Sequence, residues 1–340
     1  VPAGDEPTSI DPTDVVSIPH MMSTSVNPFP LGALDPERHP VLELYQATRG
    51  SYEGPGSPYY ARDLGPQGPF IGDLLGRGGP FGFIGSADHG ESDDAFAAIH
   101  DAEPTRRGVL DALRERRTAA ASARSGATLS LDGVRGGSAG SVGARPTATV
   151  TFGPGPAPVA AVDLLVDGRL VARRAGQRGP ERIVLSSKYA GLSPERPFRL
   201  TIEGGRILSA TPRRTLLDGC GFQVAEGQRL ELWSTGERVE AVLEVEWTDP
   251  KRVLVARLRR DGERVPLHRL SPGQTYRFEA IPARNACVWR IGVPLEDPGE
   301  GVTFEEVEIE AGSAVYARIA YLDGNVLWTS PAFVSAVTGQ

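Results

Sequence analysis

Phe81-Gly82-Phe83-Ile84-Gly85-Ser86-Ala87-Asp88-His89-Gly90, FGFIGSADHG, is the stretch on which the reading of this chain turns. Its apolar opening, closing on small residues at 86, has the character of a short buried parallel strand. The run stops on Asp88 and His89, a carboxylate and an imidazole placed where strand gives way to loop. Parallel strands of α/β barrels carry their chemistry at that C-terminal end. Asp and His are also ligands suited to Zn, Mn or Fe. The plainer reading is a turn in which Asp88 bonds its own backbone.

Two upstream runs share the pattern. Asp14–His20 (DVVSIPH) is a short apolar segment ending on His20, and Val41–Tyr45 (VLELY) is a second strand that carries Glu43 and Tyr45. Three successive strands with polar ends are what a βα-barrel site requires. The segments between them, the Pro-interrupted 21–40 and the Gly-, Pro- and Tyr-rich 49–69, are long loops of the kind that surround sites. Phe70–Leu75 suits a turn or two of helix. Thr105 is placed to cap a further helix, with Val109, Leu110 and Leu113 inward and Arg114, Arg116 and Arg117 where the helix dipole favours cations.

Helical periodicity disappears from about Gly126. Short alternating segments recur from 147–152 to 325–334, with Asp-Gly turns at 167–168, 261–262 and 323–324. Strands this short and regularly spaced imply a β-sandwich in one or two lobes. The division is therefore an α/β part over 1–125 and a β-sandwich part over 126–340. Trp233, Trp247, Trp289 and Trp328 are most simply packing residues, with a carbohydrate platform as the alternative for one of them.

With 340 residues the chain can bury two or three cores. The net charge of −7, without a basic stripe, argues against nucleic acid as a partner. No apolar run reaches the roughly 20 residues of a membrane-spanning helix. Cys220 and Cys287 lack metal-type spacing, and either a disulfide or two separate thiols is compatible with the sequence. Nothing distinguishes a cytoplasmic from an exported protein. Lys188 and Lys251 are the only lysines, so nearly all positive charge is arginine, which coding bias accounts for.

Taken in order, several motifs resemble one family. FGFIGSADHGE followed by AEPTRRGVLDALRERRT is similar to the last barrel strand and helix of PHP-type (polymerase and histidinol phosphatase) metallohydrolases. The nearest likeness is to a bacterial branch of largely unknown function whose PHP domain carries a C-terminal β-domain. VVSIPHMMS resembles that branch's strand ending Ile-Pro-His-His, and HPVLELYQATRGSYE its Val-Glu-Ile-Tyr-Ser segment. FRLTIEGGRILSATP and AVYARIAYLDGNVLWTSPAFV resemble a later strand and the final hairpin.

This resemblance implies the C-terminal portion of a distorted (β/α)7 barrel followed by a β-sandwich, and a hydrolase using Zn, Mn or Fe on phosphoester or ester-like bonds. It assigns His20, Asp88 and His89 as metal ligands, Asp88 and His89 as catalytic, and Glu43, with Tyr45, as weaker or second-layer candidates. The family's opening His-x-His strand has no counterpart here, so an N-terminal companion chain or fragment of the same precursor is the expected partner. Met21 stands where relatives carry a second His, and Asp88 and His89 are adjacent where relatives have Asp-x-His. These departures support the alternative of a non-catalytic binding or assembly protein, metal-free, in which a degenerate barrel remnant docks onto a partner.

Overall fold

Val41–Gln46 (β1) is buried at every position. Its register is parallel to Gly82–Ser86 (β3), from Val41 opposite Gly82 to Gln46 opposite Ser86. Gly50–Ser51 (β2) pairs antiparallel on the other side of β1, completing a sheet ordered β2-β1-β3. Two-sided burial is what continuous apolar strand sequences predict. The computed structural model describes residues 15–20, 29–47, 49–59, 70–76, 79–88, 94–188, 192–213, 219–234, 238–257, 263–270, 272–278, 286–296 and 298–338.

The described residues contain two α-helices, Ile71–Leu75 (α1) and Arg106–Arg114 (α2), among strands that form four further sheets. The largest runs β11-β10-β23-β24-β5-β4 through Arg169–Ala175, Val159–Val166, Ala314–Tyr321, Val326–Thr329, Thr118–Ala121 and Phe96–Ile99. Ala332–Thr338 (β25) joins it to Ala139–Gly143 (β8). A smaller sheet, β22-β9-β6-β7, covers one face with Gly301–Phe304, Ala148–Phe152, Ala127–Leu131 and Val134–Arg135. Their facing apolar residues, among them Leu129, Val150, Val162, Leu164 and Ile319, make the first sandwich core.

A second sandwich is inserted between β11 and β22. One layer is β14-β17-β12-β21-β20 (Gly205–Pro212, Arg238–Trp247, Glu181–Lys188, Ala286–Gly292, Thr275–Arg277). The other is β15-β16-β13-β18-β19 (Gly221–Ala225, Arg229–Trp233, Phe198–Glu203, Val253–Arg257, Glu263–Pro266). Ile183, Leu200, Leu230, Leu243 and Phe278 are buried between them. The Asp167-Gly168 turn joins β10 to β11 with both residues at positive φ, the geometry a two-residue hairpin requires.

The β1/β3 sheet packs on the large sheet, where Tyr45 stacks on Trp328 at 5.5 Å and Phe83 meets Tyr316 edge-on at 5.6 Å. Trp289 and Trp328 are both buried in that region, which removes them as exposed carbohydrate platforms. A buried ionic cluster crosses the same seam. Arg318 donates to Asp163 at 2.9 and 3.1 Å and to Glu53 at 3.0 Å. Tyr316 and Trp328 donate to Glu53 at 2.7 and 3.0 Å, and Arg173 donates to Asp163 at 2.9 Å. A second buried pair, Arg213–Glu240 at 2.7 Å, links the inserted sandwich to Asn325 and to the Tyr59 ring.

The expected (β/α)7 barrel is not what the chain forms. After β3 the backbone enters β4, and α2 returns it to β5 antiparallel to β4, in a sheet whose neighbours from β11 to β4 are all antiparallel. A barrel would need a crossover to a further parallel strand. Among the described residues the protein is mostly β-structure, and the parallel pair β1/β3 is a small sheet laid against sandwiches. Thr105 does cap α2, accepting from the Gly108 amide at 3.0 Å, but Ala112 is the helix residue that is fully buried, and Val109 is exposed.

Candidate functional site

Two of the polar groups expected at strand ends, His20 and Glu43, meet beside β1. Residues 15–20 run beside that strand, the Glu43 amide donating to the Pro19 carbonyl at 3.3 Å. This brings His20 Nδ1 to 3.6 Å from Glu43 Oε2. The two differ sharply in environment, the His20 side chain being 50% exposed and that of Glu43 2%. A buried carboxylate is tolerated when its lone pairs are satisfied. Ser86, at the end of β3, donates to Glu43 Oε1, and Gln46 donates to Oε2 at 3.4 Å. The irregularity in the β1/β3 register between Glu43 and Tyr45 lies at this point.

Asp88 follows β3 by two residues and takes a left-handed backbone, φ +62°. Asp is among the few non-glycine residues that accept that conformation readily. Its carboxylate lies 3.9 Å from Arg49 Nε, a side chain from the loop after β1. Tyr45 belongs to the aromatic core, against Trp328 and Tyr59. His89 lies outside the described residues. Ser86, Gln46 and Arg49 are the members of this cluster that sequence reasoning missed. Ser86 stood inside the decisive stretch, and its place at a parallel strand end was the available signal.

An imidazole backed by a carboxylate on one ring nitrogen is the arrangement that orients a histidine for metal ligation through the other, or for proton transfer. His20 with Glu43 3.6 Å away therefore has the donor chemistry a divalent ion takes, while Asp88 is placed against Arg49. The described residues go no further. No group of three or more His, Cys, Asp or Glu among them is placed to hold an ion. A closed centre requires donors from beyond them.

Cys220 and Cys287 do not form a disulfide; Cys287 is buried and Cys220 lies within 3.7 Å of the Ser234 hydroxyl. No protein-family model matches the chain, and no curated protein or solved structure matches it either.

Proposed function

We propose that this chain is the C-terminal part of a PHP-type, metal-dependent hydrolase acting on a phosphoester or related ester-like bond. The observation that carries the reading is the approach of His20 to the buried Glu43, beside a parallel strand pair whose other end-group is Asp88. A bound divalent ion would lower the pKa of its water and polarise the scissile group. The chain's own contribution is to orient the His20 imidazole through Glu43, to hold Glu43 through Ser86 and Gln46, and to present Asp88. The remaining donors come from an N-terminal companion segment or chain. No closed barrel is part of the proposal.

The test is hydrolysis of bis-p-nitrophenyl phosphate by the native assembly with added Mn2+, comparing wild type with His20→Ala and Asp88→Asn. Both substitutions are expected to abolish metal-dependent turnover while leaving the fold intact by circular dichroism. Equal turnover in all three would overturn the reading.

One observation favours a second reading, a non-catalytic assembly protein. Arg49 places a positive charge against Asp88, where a ligand carboxylate would meet its ion. On that reading the wild-type assembly binds no transition metal, and Asp88→Asn changes neither partner binding nor metal content.

A further inference from the structure

The two sheets of the first sandwich end on one side in β11 and β22, where Arg174 lies over the Phe304 ring, 5.8 Å from its centroid. β11 pairs with β10 and with no other strand among the described residues, so its outer edge offers backbone N–H and C=O groups to solvent. That edge also exposes apolar surface, Leu170 being 40% and Val171 45% accessible. The register with β10 passes from Ala172 to Leu170 without Val171, a bulge. Bulges and charged residues protect an edge against indiscriminate pairing, and β11 carries Arg169 and Arg174 besides. An edge guarded in this way accepts only a strand matched to its surroundings.

The surroundings are acidic. A groove of about 740 Å³ separates β11 from the segment 304–310 that leads out of β22. Phe304, Val307 and Ile309 of that segment turn into the sandwich core, while Glu305, Glu306, Glu308 and Glu310 are exposed and line the groove. Glu306 pairs with Arg145 at 3.3 Å, but no cation among the described residues pairs with Glu305, Glu308 or Glu310. The arginines across the groove are engaged elsewhere, Arg173 with Asp163 at 2.9 Å and Arg174 with the Phe304 ring. In an extended segment Glu308 and Glu310 stand about 6–7 Å apart, the spacing of side chains i and i+2 on one face of a neighbouring strand. Leu170 pairs with Leu165, whose side chain belongs to the core on the opposite face of the sheet, so Leu170 faces away from the groove.

We propose that the outer edge of β11 accepts an extended segment of a partner protein as an added strand. Alternate residues of that segment are Lys or Arg, which meet Glu308 and Glu310, and the residues between them are apolar and cover Leu170. A second copy of this chain does not fit, because two β11 edges brought together would each carry Arg169 and Arg174 and no acidic residue. None of the groove residues belongs to the proposed metal site, so the inference is independent of the hydrolase reading.

The experiment is fluorescence anisotropy of a labelled Val-Lys-Val-Lys-Val-Lys peptide titrated with the full chain at low ionic strength. One comparison peptide carries Glu in place of Lys. Another is N-methylated at every residue, which keeps the charges and removes the backbone donors. The Lys peptide should bind saturably and lose affinity as salt is raised. The Glu and N-methylated peptides should bind about tenfold more weakly or worse. Glu308→Gln with Glu310→Gln, at exposed side chains whose change leaves the circular dichroism spectrum intact, should weaken the Lys peptide about five- to tenfold, the value of two exposed ion pairs. No saturable binding, equal affinity for the N-methylated peptide, or unchanged affinity in the double variant would each overturn the proposal. So would a dimer of the chain whose β11 amides are protected from hydrogen exchange before peptide is added, the mark of a second copy on that edge.

Discussion

Replacing Arg318 by Met removes one guanidinium and strands two carboxylates. The Arg318 side chain is 6% exposed, and those of Glu53 and Asp163 are 3% exposed, so water cannot take its place. Burial alone would lower the pKa of Arg318, and the adjacent Glu53 and Asp163 more than reverse this, holding the charge firmly on the side chain. Breaking a buried pair by deleting one partner costs about 3–5 kcal/mol, against about 0–1 kcal/mol for an exposed one. Asp163 keeps Arg173 at 2.9 Å, and Glu53 keeps Tyr316 and Trp328, which places the expected loss near the lower end, about 3 kcal/mol. Urea unfolding followed by tryptophan fluorescence reads this directly. Glu53→Gln removes one stranded charge while keeping an acceptor for Tyr316 and Trp328. The double variant should therefore cost less than the sum of the singles, by about 0.5–3 kcal/mol. A loss below about 1 kcal/mol for Arg318→Met, or strict additivity, would refute the view that this cluster ties the β1/β3 sheet to the sandwich.

Gly85→Ala should cost about 1–3 kcal/mol, because a Cβ there would lie 2.8 Å from the Phe96 carbonyl oxygen and 3.0 Å from that of Ala121. Gly32→Ala, with nothing within 4 Å, is the neutral comparison in the same denaturation assay. Because burial depresses the His100 pKa below 6.5, the unfolded chain takes up that proton first as pH falls. Its contribution is complete above 6.5 and drains away as pH drops through the folded value. His100→Asn should flatten the pH dependence of the urea midpoint in that window, and an unchanged slope would contradict it. If Glu43 orients His20 toward an ion, Glu43→Gln should weaken Mn2+ binding by the native assembly by about 10–100-fold, measured by equilibrium dialysis. Unaltered affinity would remove Glu43 from the site.

The sequence was most legible where a run of residues carries its own pattern. VLELY and FGFIGS are continuous apolar segments, and they do form the buried parallel pair β1/β3. The Asp167-Gly168 turn announced its hairpin for the same local reason. The barrel expectation fails because a parallel strand pair reads the same whether the strands after it are parallel or antiparallel. Those strands, Phe96–Ile99 and, after α2, Thr118–Ala121, pair antiparallel, and the second is three alanines after a threonine, a composition with no strand preference. The site was half legible. His20 and Glu43 could be nominated from strand ends, but their approach depends on residues 15–20 lying beside β1, which nothing local dictates. Arg318 and Glu53 are 265 residues apart, so arginines explained by coding bias include one that joins the β1/β3 sheet to the sandwich.

His20, Glu43 and Asp88 are proposed to take part in an ion-binding centre completed by donors from another segment. Native mass spectrometry with elemental analysis of the assembly, purified without chelator, tests both halves at once. A companion polypeptide together with Zn, Mn or Fe is expected, the metal being lost in His20→Ala. A metal-free chain with no companion would contradict it.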